Sequence, residues 1–494
     1  LTVALFAALF LPACYHTAAD LIAAPSPPAA APLTQLRHTI DSILDDPSLE
    51  RATWGLSIQS MDAGDTLYDR NARKLIMPAS TMKVVTLAAT AARLGWDFRY
   101  HTRVFTVGTV EDGILKGDLL IVGDGDPTLD DWDDAASACF AQWATQLEQA
   151  GIHAIDGRII GDDNAFDDEA IGAGWAWDDL AASYATGVGA LQFNENTAQV
   201  VVSPGTVGQP AHIEVRPPSA AVAVRNLTTT AGTGGAPLSI RPLPREPVIE
   251  VTGSILPTAT PVVRNISVPN ATIYFVNAVR NALVANGIAV RGAAEDIDDL
   301  TGPLDRSIAV PLTERQSPPL RDIAVTMMKM SQNLFAETLL RTLGGSVASV
   351  GSVSAGRVAV VDSLTEWGIP PEDILMVDGS GLSRYNLMTP GALISVLGHV
   401  YHDDALRGPF LDTLPIAGVD GTLAGRMKGT AAAGKVHAKT GSFSNARAVV
   451  GYVDSHDGEP LAFAIVANNY GVPAAAIDTA TDAILVALAK FSRQ

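Results

Sequence analysis

The chain has 494 residues, 47% of them hydrophobic and 17% charged, a globular composition that is too long for one ordinary core and suits two or three domains. Its 53 acidic residues against 33 basic ones give a formal charge of −20, which argues against a nucleic-acid partner, since that would need a basic face to replace counterions. There is no heptad run or short repeat, so a coiled coil or a solenoid is not indicated.

Residues 1–14 (LTVALFAALFLPAC) form an apolar run that ends in small residues. It reads as the h-region of an export signal, too short to span a bilayer as a stable helix. Leu11-Pro12-Ala13-Cys14 also has the form of a lipobox. Cys14 therefore has two readings, a lipidated first residue that anchors the protein to a membrane, or a neighbour of ordinary cleavage at the Ala-rich sites. A Pro/Ala spacer, residues 23–32, follows and should be extended. Cys139 has no Cys or His at metal-binding spacing and reads as a buried small apolar residue.

Beyond the spacer the pattern predicts a helix over 33–44, a strand over 53–60, a turn, and a strand near 66–68. Pro78 then introduces a helix whose first turn carries Ser80. Strands over 100–107 and 115–122 bracket a hairpin turn at Glu111-Asp112-Gly113. A Trp- and Asp-rich stretch follows, with a helix over 135–150 and a strand over 157–161. From 197 to 310 the text turns Val/Thr/Pro-rich with period-two alternation. One helix interrupts it, over 270–286, with Asn270 as cap and Gly287 as stop. Helices over 320–330 and 334–343 come next, the second ended by Gly344-Gly345. Strands over 435–440, 446–453 and 461–468 and a helix over 474–491 complete the chain.

Three short stretches carry chemistry: Ser80-Thr81-Met82-Lys83, Ser331-Gln332-Asn333 and Lys439-Thr440-Gly441. In this order, S-x-x-K, S-x-N and K-T-G are the signature of serine enzymes that acylate on D-alanyl peptides or β-lactams. Three-residue spacing on a helix puts Ser80 and Lys83 on one face. Lys83 could take the serine proton if its amine were neutral, and burial with a second cation such as Lys439 would favour that form. The Ser80 amide, at a helix start, would point at a developing oxyanion, with the Ser442 amide as the second donor. Ser331 and Asn333 could relay protons and hold a substrate amide. Lys439 would meet a substrate carboxylate, Thr440 would add a hydroxyl, and Gly441 would clear space for the substrate backbone. Each stretch alone has a plain structural reading: a capping Ser, a polar kink, a strand ending in Gly. No G-x-S-x-G, H-E-x-x-H, C-x-x-C or P-loop pattern occurs, so no metal or other cofactor is implied. His437 beside the third motif reads as packing.

Together with residues 123–129 (GDGDPTL), 174–178 (GWAWD), 378–384 (DGSGLSR) and 418–423 (GVDGTL), the motifs resemble the class C low-molecular-mass penicillin-binding proteins. These are exported serine D-alanyl-D-alanine carboxypeptidases and endopeptidases of cell-wall metabolism. The resemblance implies an α+β fold, a penicillin-binding/serine β-lactamase-like domain in which helices flank an antiparallel sheet, with two inserted domains, the larger mainly β. It implies a catalytic domain over 33–100 and 313–494, a mainly-β insert over 101–126 and 196–312, and a small α/β domain nested within it over 127–195. Ser80 would be the acylated nucleophile with Lys83 assisting, Ser331 and Asn333 the second motif, and Lys439 and Thr440 the carboxylate site. The family often has Asp where Gln332 stands, at the least constrained position of that motif. Trp175, Trp177 and Tyr184 either line the substrate's distal side chain or hold a small domain together. The implied partners are peptidoglycan stem peptides and β-lactams, met outside the cytoplasm. A related serine esterase or D-amino-acid peptidase, and a catalytically silent cell-wall binding protein, are the alternatives that share the motifs.

Overall fold

A computed structural model describes residues 30–131, 134–219, 221–243 and 248–494. The export-like run, Cys14 and most of the Pro/Ala spacer lie outside the described residues. Helix α1 (Ala30–Leu44) starts inside the stretch expected to be spacer. Pro32 is tolerated there because a first-turn residue has no intrahelical N–H bond to lose.

The central element is a five-stranded antiparallel sheet in the order Val436–Phe443, Ala446–Asp454, Pro460–Asn468, Thr53–Ser60, Thr66–Arg70. Its inner strands are buried on both faces, which is why they read as near-continuous apolar runs. On one face Leu461, Phe463 and Ile465 meet α1 and the C-terminal helix. On the other, Ala462, Ala464 and Val466 join a larger helical core.

That core begins with α2 (Met82–Leu94). The chain then leaves for a long excursion that holds α3 (Ala135–Gln149) and α4 (Ala271–Ala285). On returning it forms α5 (Leu320–Lys329), α6 (Asn333–Val347), α7 (Val353–Glu366), α8 (Pro390–His402) and α9 (Asp404–Thr413). Finally α10 (Ala474–Lys490) covers the far face of the sheet. Among the described residues no helix is long and apolar enough to cross a membrane.

Within the excursion the hairpin His101–Glu111/Ile114–Gly123 turns at Asp112 and Gly113, with φ of 49° and 76°, as a two-residue turn requires. It founds a seven-stranded sheet. Ala154–Ile155 and Ile159–Asp162 pair with Ile114–Gly123 in parallel, although both lie in the stretch expected to be a separate nested domain. Strands of two and four residues carry too little pattern to reveal where they pair. Ala309–Gln316 closes the other edge and reaches four residues past the expected boundary at 312. Two three-stranded sheets, centred on Thr197–Ser203 and Val248–Ile255, complete the excursion. The Asn270 side chain caps α4 at Ile273 N (2.7 Å), as its sequence position suggests.

Gly344 and Gly345 do not end their helix, because α6 runs on to Val347. The reason for Gly344 is contact. A Cβ there would lie 2.6 Å from Ser352 O, and one on Gly356 of α7 only 2.1 Å from Leu340 O. The two helix backbones thus touch where side chains are missing. Gly398 of α8, by contrast, has open space around its missing Cβ. Gly356→Ala should therefore cost about 1–3 kcal/mol through overpacking, whereas Gly398→Ala should gain about 0.5–1 kcal/mol from helix propensity. Opposite shifts of the denaturation midpoint check both.

Candidate active site

Ser80 lies in a one-turn 3₁₀ segment, Ala79–Thr81, that runs directly into α2, rather than in the first α-helical turn expected. Ala79 adopts φ of 47°, a conformation a non-glycine residue takes only when its surroundings impose it. Two glycines from distant segments press on this turn. A Cβ on Gly381 would lie 2.0 Å from Ala79 O, and one on Gly441 2.7 Å from Pro78 O and 3.0 Å from Ser80 N. The close neighbour that makes position 441 a glycine is thus the protein's own nucleophile turn, where substrate backbone was expected.

Lys83, one turn on, is fully buried. Its Nζ lies 3.0 Å from Ser80 Oγ, 2.6 Å from Asn333 Oδ1 and 2.7 Å from the Ser380 carbonyl. The Asn333 amide is oriented by its other end, because Nδ2 donates to Tyr184 O at 2.7 Å and that carbonyl can only accept. Two of the three Lys83 partners are therefore pure acceptors. A neutral amine spends both its N–H bonds on them, and its lone pair is left facing the serine hydroxyl. Burial pushes the Lys83 ammonium down to about 7, against upward pulls from the Asp378 and Glu337 carboxylates.

Ser331 bridges α5 and α6 in a left-handed conformation, φ 60°, and its hydroxyl accepts from Lys439 Nζ at 2.7 Å. Lys439 also donates to Thr440 O at 2.7 Å. Burial, and then the nearby Lys83 charge, hold Lys439 well below an ordinary lysine. Thr440 Oγ1 pairs with Thr422 Oγ1 at 2.7 Å, which brings the GVDGTL stretch to the site. Strand Val436–Phe443 is the sheet edge. Ala438 N–H donates across that edge to Pro415 O at 2.9 Å. Strand groups alternate in direction, so the amides of Thr440 and Ser442 face the same open side.

The hydrogen bonds therefore gather Ser80, Lys83 and Asn333 in one group and Ser331, Lys439 and Thr440 in the other, with Gly441 packed on the Ser80 turn. The three aromatics part company. Trp175 is 9% exposed, packs on Ala185 and Leu382, and donates Nε1 to Asp378 Oδ2 at 2.9 Å. It ties the excursion to the catalytic loop. Trp177 is 78% exposed, and Tyr184 is also exposed with its hydroxyl on Asp179 Oδ1. Cys139 is buried, and burial raises its thiol to about 11.

Residues outside the three motifs complete the site. Fully buried Asp378 accepts from Gly381 N, Ser383 N, Asn386 Nδ2 and Trp175 Nε1, at 2.6–2.9 Å, and so shapes the loop that offers the Ser380 carbonyl. Glu337 on α6 accepts from Ser380 N at 2.7 Å. The available signal for Glu337 was its spacing: Asn333, Glu337 and Arg341 recur every four residues on a helix with no other charged residue.

The model of the D-Ala-D-Ala carboxypeptidase 3 (S13) family matches residues 36–491. The D-alanyl-D-alanine carboxypeptidase of Actinomadura sp. (strain R39) is 34% identical over 481 residues, covering 94% of this chain and 86% of that protein. D-alanyl-D-alanine carboxypeptidase DacB of Haemophilus influenzae is 27% identical over 432 residues, 85% of this chain and 86% of its own length. The crystal structure of penicillin binding protein 4 (dacB) from Haemophilus influenzae superposes with a TM-score of 0.78 at 25% identity, over 91% of this chain and 97% of that one. With fold, length and motif order in agreement, the chain belongs to the D-Ala-D-Ala carboxypeptidase 3 (S13) family, serine-type carboxypeptidases of the low-molecular-mass class C penicillin-binding group.

Proposed function

We propose that the protein hydrolyses the terminal D-Ala-D-Ala bond of peptidoglycan stem peptides through an acyl-Ser80 intermediate. The observation that carries this reading is the Lys83 amine, held by two acceptors with its third direction on Ser80 Oγ at 3.0 Å. Neutral Lys83 takes the hydroxyl proton as Ser80 Oγ attacks the penultimate D-alanyl carbonyl. The Ser80 and Ser442 amides receive the oxyanion. The proton taken by Lys83 returns through the hydroxyl of Ser331, itself hydrogen-bonded to Lys439, to the departing D-alanine nitrogen; water then cleaves the ester and restores the Ser80 hydroxyl. Lys439 and Thr440 bind the terminal carboxylate, and exposed Trp177 and Tyr184 meet the distal side chain. A β-lactam presents the same carboxylate and a strained amide, so it acylates Ser80 and leaves slowly. This substrate lies outside the cytoplasm, so the proposed site of action is extracytoplasmic. The export-like run supports this, and the lipobox form at Cys14 supports a lipid anchor.

Intact mass after incubation with benzylpenicillin tests the reading: one adduct is expected, on the peptide that holds Ser80. Ser80→Ala should abolish it with the melting temperature nearly unchanged, and a folded mutant that still labels would sink the assignment.

The active base is the neutral amine, so kcat/KM should fall as pH drops below about 7, where Lys83 regains its proton. Lys439 must stay charged to meet a carboxylate, and its pKa is lowered. The alkaline limb should therefore lie below the ordinary lysine range and be missing for a carboxylate-free ester. A pH–rate profile on both substrates reads the two limbs.

Lys439→Ala should weaken carboxylate substrates most. Equal loss of kcat/KM on the carboxylate-free ester would refute its binding role.

A further inference from the structure

A column of polar and charged side chains runs inward along α6 from the site. Asn333, Glu337 and Arg341 follow one another at four-residue spacing, and all three side chains are buried. Asn333 touches Lys83 directly. Glu337, fully buried, touches it through the backbone: Oε1 accepts from Ser380 N at 2.7 Å, and the Ser380 carbonyl accepts from Lys83 Nζ at 2.7 Å. The adjoining Gly379 carbonyl is held by Thr86 Oγ1 at 2.7 Å. Glu337 Oε2 has no hydrogen-bond partner among the described residues, and the Arg341 guanidinium stands 3.7 Å away. A carboxyl buried in this way is costly to keep for packing alone, since an apolar side chain would fill the space without an unsatisfied oxygen.

We propose that Glu337 is a positioning residue for Lys83: it fixes the Ser380 peptide whose carbonyl orients the amine, and its buried carboxylate adds to the negative charge that faces that amine. The inference rests on the acyl-Ser80 reading above. The charged groups that face this pair come from several elements: Asp378 from the catalytic loop, Lys439 from the edge strand, Arg341 from α6, and Asp167 from the excursion, 3.8 Å from Arg341. Glu169 adds both its backbone carbonyl, bound to Arg341 Nη2, and its charge. Burial raises the Glu337 carboxyl, with Asp378 adding to the rise, while Arg341 and the Ser380 N–H oppose it. In turn a negative Glu337 favours the charged form of Lys83. Removing that charge makes the amine neutral at lower pH.

The test is the pH dependence of benzylpenicillin acylation in the full-length protein, followed by intact mass. In Glu337→Gln an acceptor to Ser380 remains and the charge is gone, so the acid limb should move down by roughly one pH unit. In Glu337→Asp the charge remains but the reach is shorter. Its limb should stay at the wild-type pH while the plateau rate falls at least several-fold. A folded Glu337→Gln with an unmoved limb overturns the electrostatic role. A Glu337→Asp plateau equal to wild type overturns the positioning role, and this second variant decides the matter should the Gln variant not fold. Wild type that fails to acylate at Ser80 removes the parent reading along with this one, whereas wild type that acylates beside an unmoved Gln variant removes only the role of Glu337.

Discussion

Everything in the site follows from the placement of one amine where water cannot reach it. A charged ammonium moved into a protein interior loses several kcal/mol of hydration, so Lys83 can be buried only if it is readily neutral or fully surrounded by acceptors. The fold does both. Three elements converge on the nitrogen: α2 carries it, α6 offers Asn333, and the loop after Asp378 turns a carbonyl toward it. None is replaceable by solvent at that depth. The second lysine is buried as well; dryness loosens the hold of both on their protons, and the Lys83 charge loosens that of Lys439 further.

The nucleophile turn is held by a similar logic, with sterics in place of electrostatics. Ala79 keeps a left-handed conformation because Gly381 and Gly441 close on it from opposite segments, each without a side chain where a methyl group would collide. The strain is local and the compensation is distributed over the sheet edge and the catalytic loop. The serine is thereby fixed relative to the strand whose amides face the cleft, and its geometry does not depend on substrate to assemble it.

Much of this was legible in the chain. The three motifs stood out because their chemistry needs particular residue types in a set order, and the strands at 446–453 and 461–468 stood out because burial on both faces leaves unbroken apolar text. What stayed hidden was decided by tertiary contact. Gly344 looks like a helix stop, and only the approach of α7 reveals it as a contact point. The pairing of Ile159–Asp162 with Ile114–Gly123 needs a partner strand that its four residues do not specify. Asp378 sits in a phrase that was noticed, but its role as the hub of four donors comes from the loop's folded path. Trp175 and Trp177, two apart and identical in type, have opposite fates because one indole finds a buried carboxylate and the other faces solvent.

The ties that the excursion makes to the site carry a consequence for how such a protein can change over time. Tyr184 lends its carbonyl to Asn333, and Trp175 lends its indole to Asp378. Both residues come from the stretch that a smaller enzyme of this type would lack. Trimming the chain to the bare catalytic core would leave a buried amide and a buried carboxylate each short of one partner. The insertion is thus no detachable ornament. A lineage that lost it would need, in the same step, new residues to close those two gaps, which makes the long form a state easier to enter than to leave.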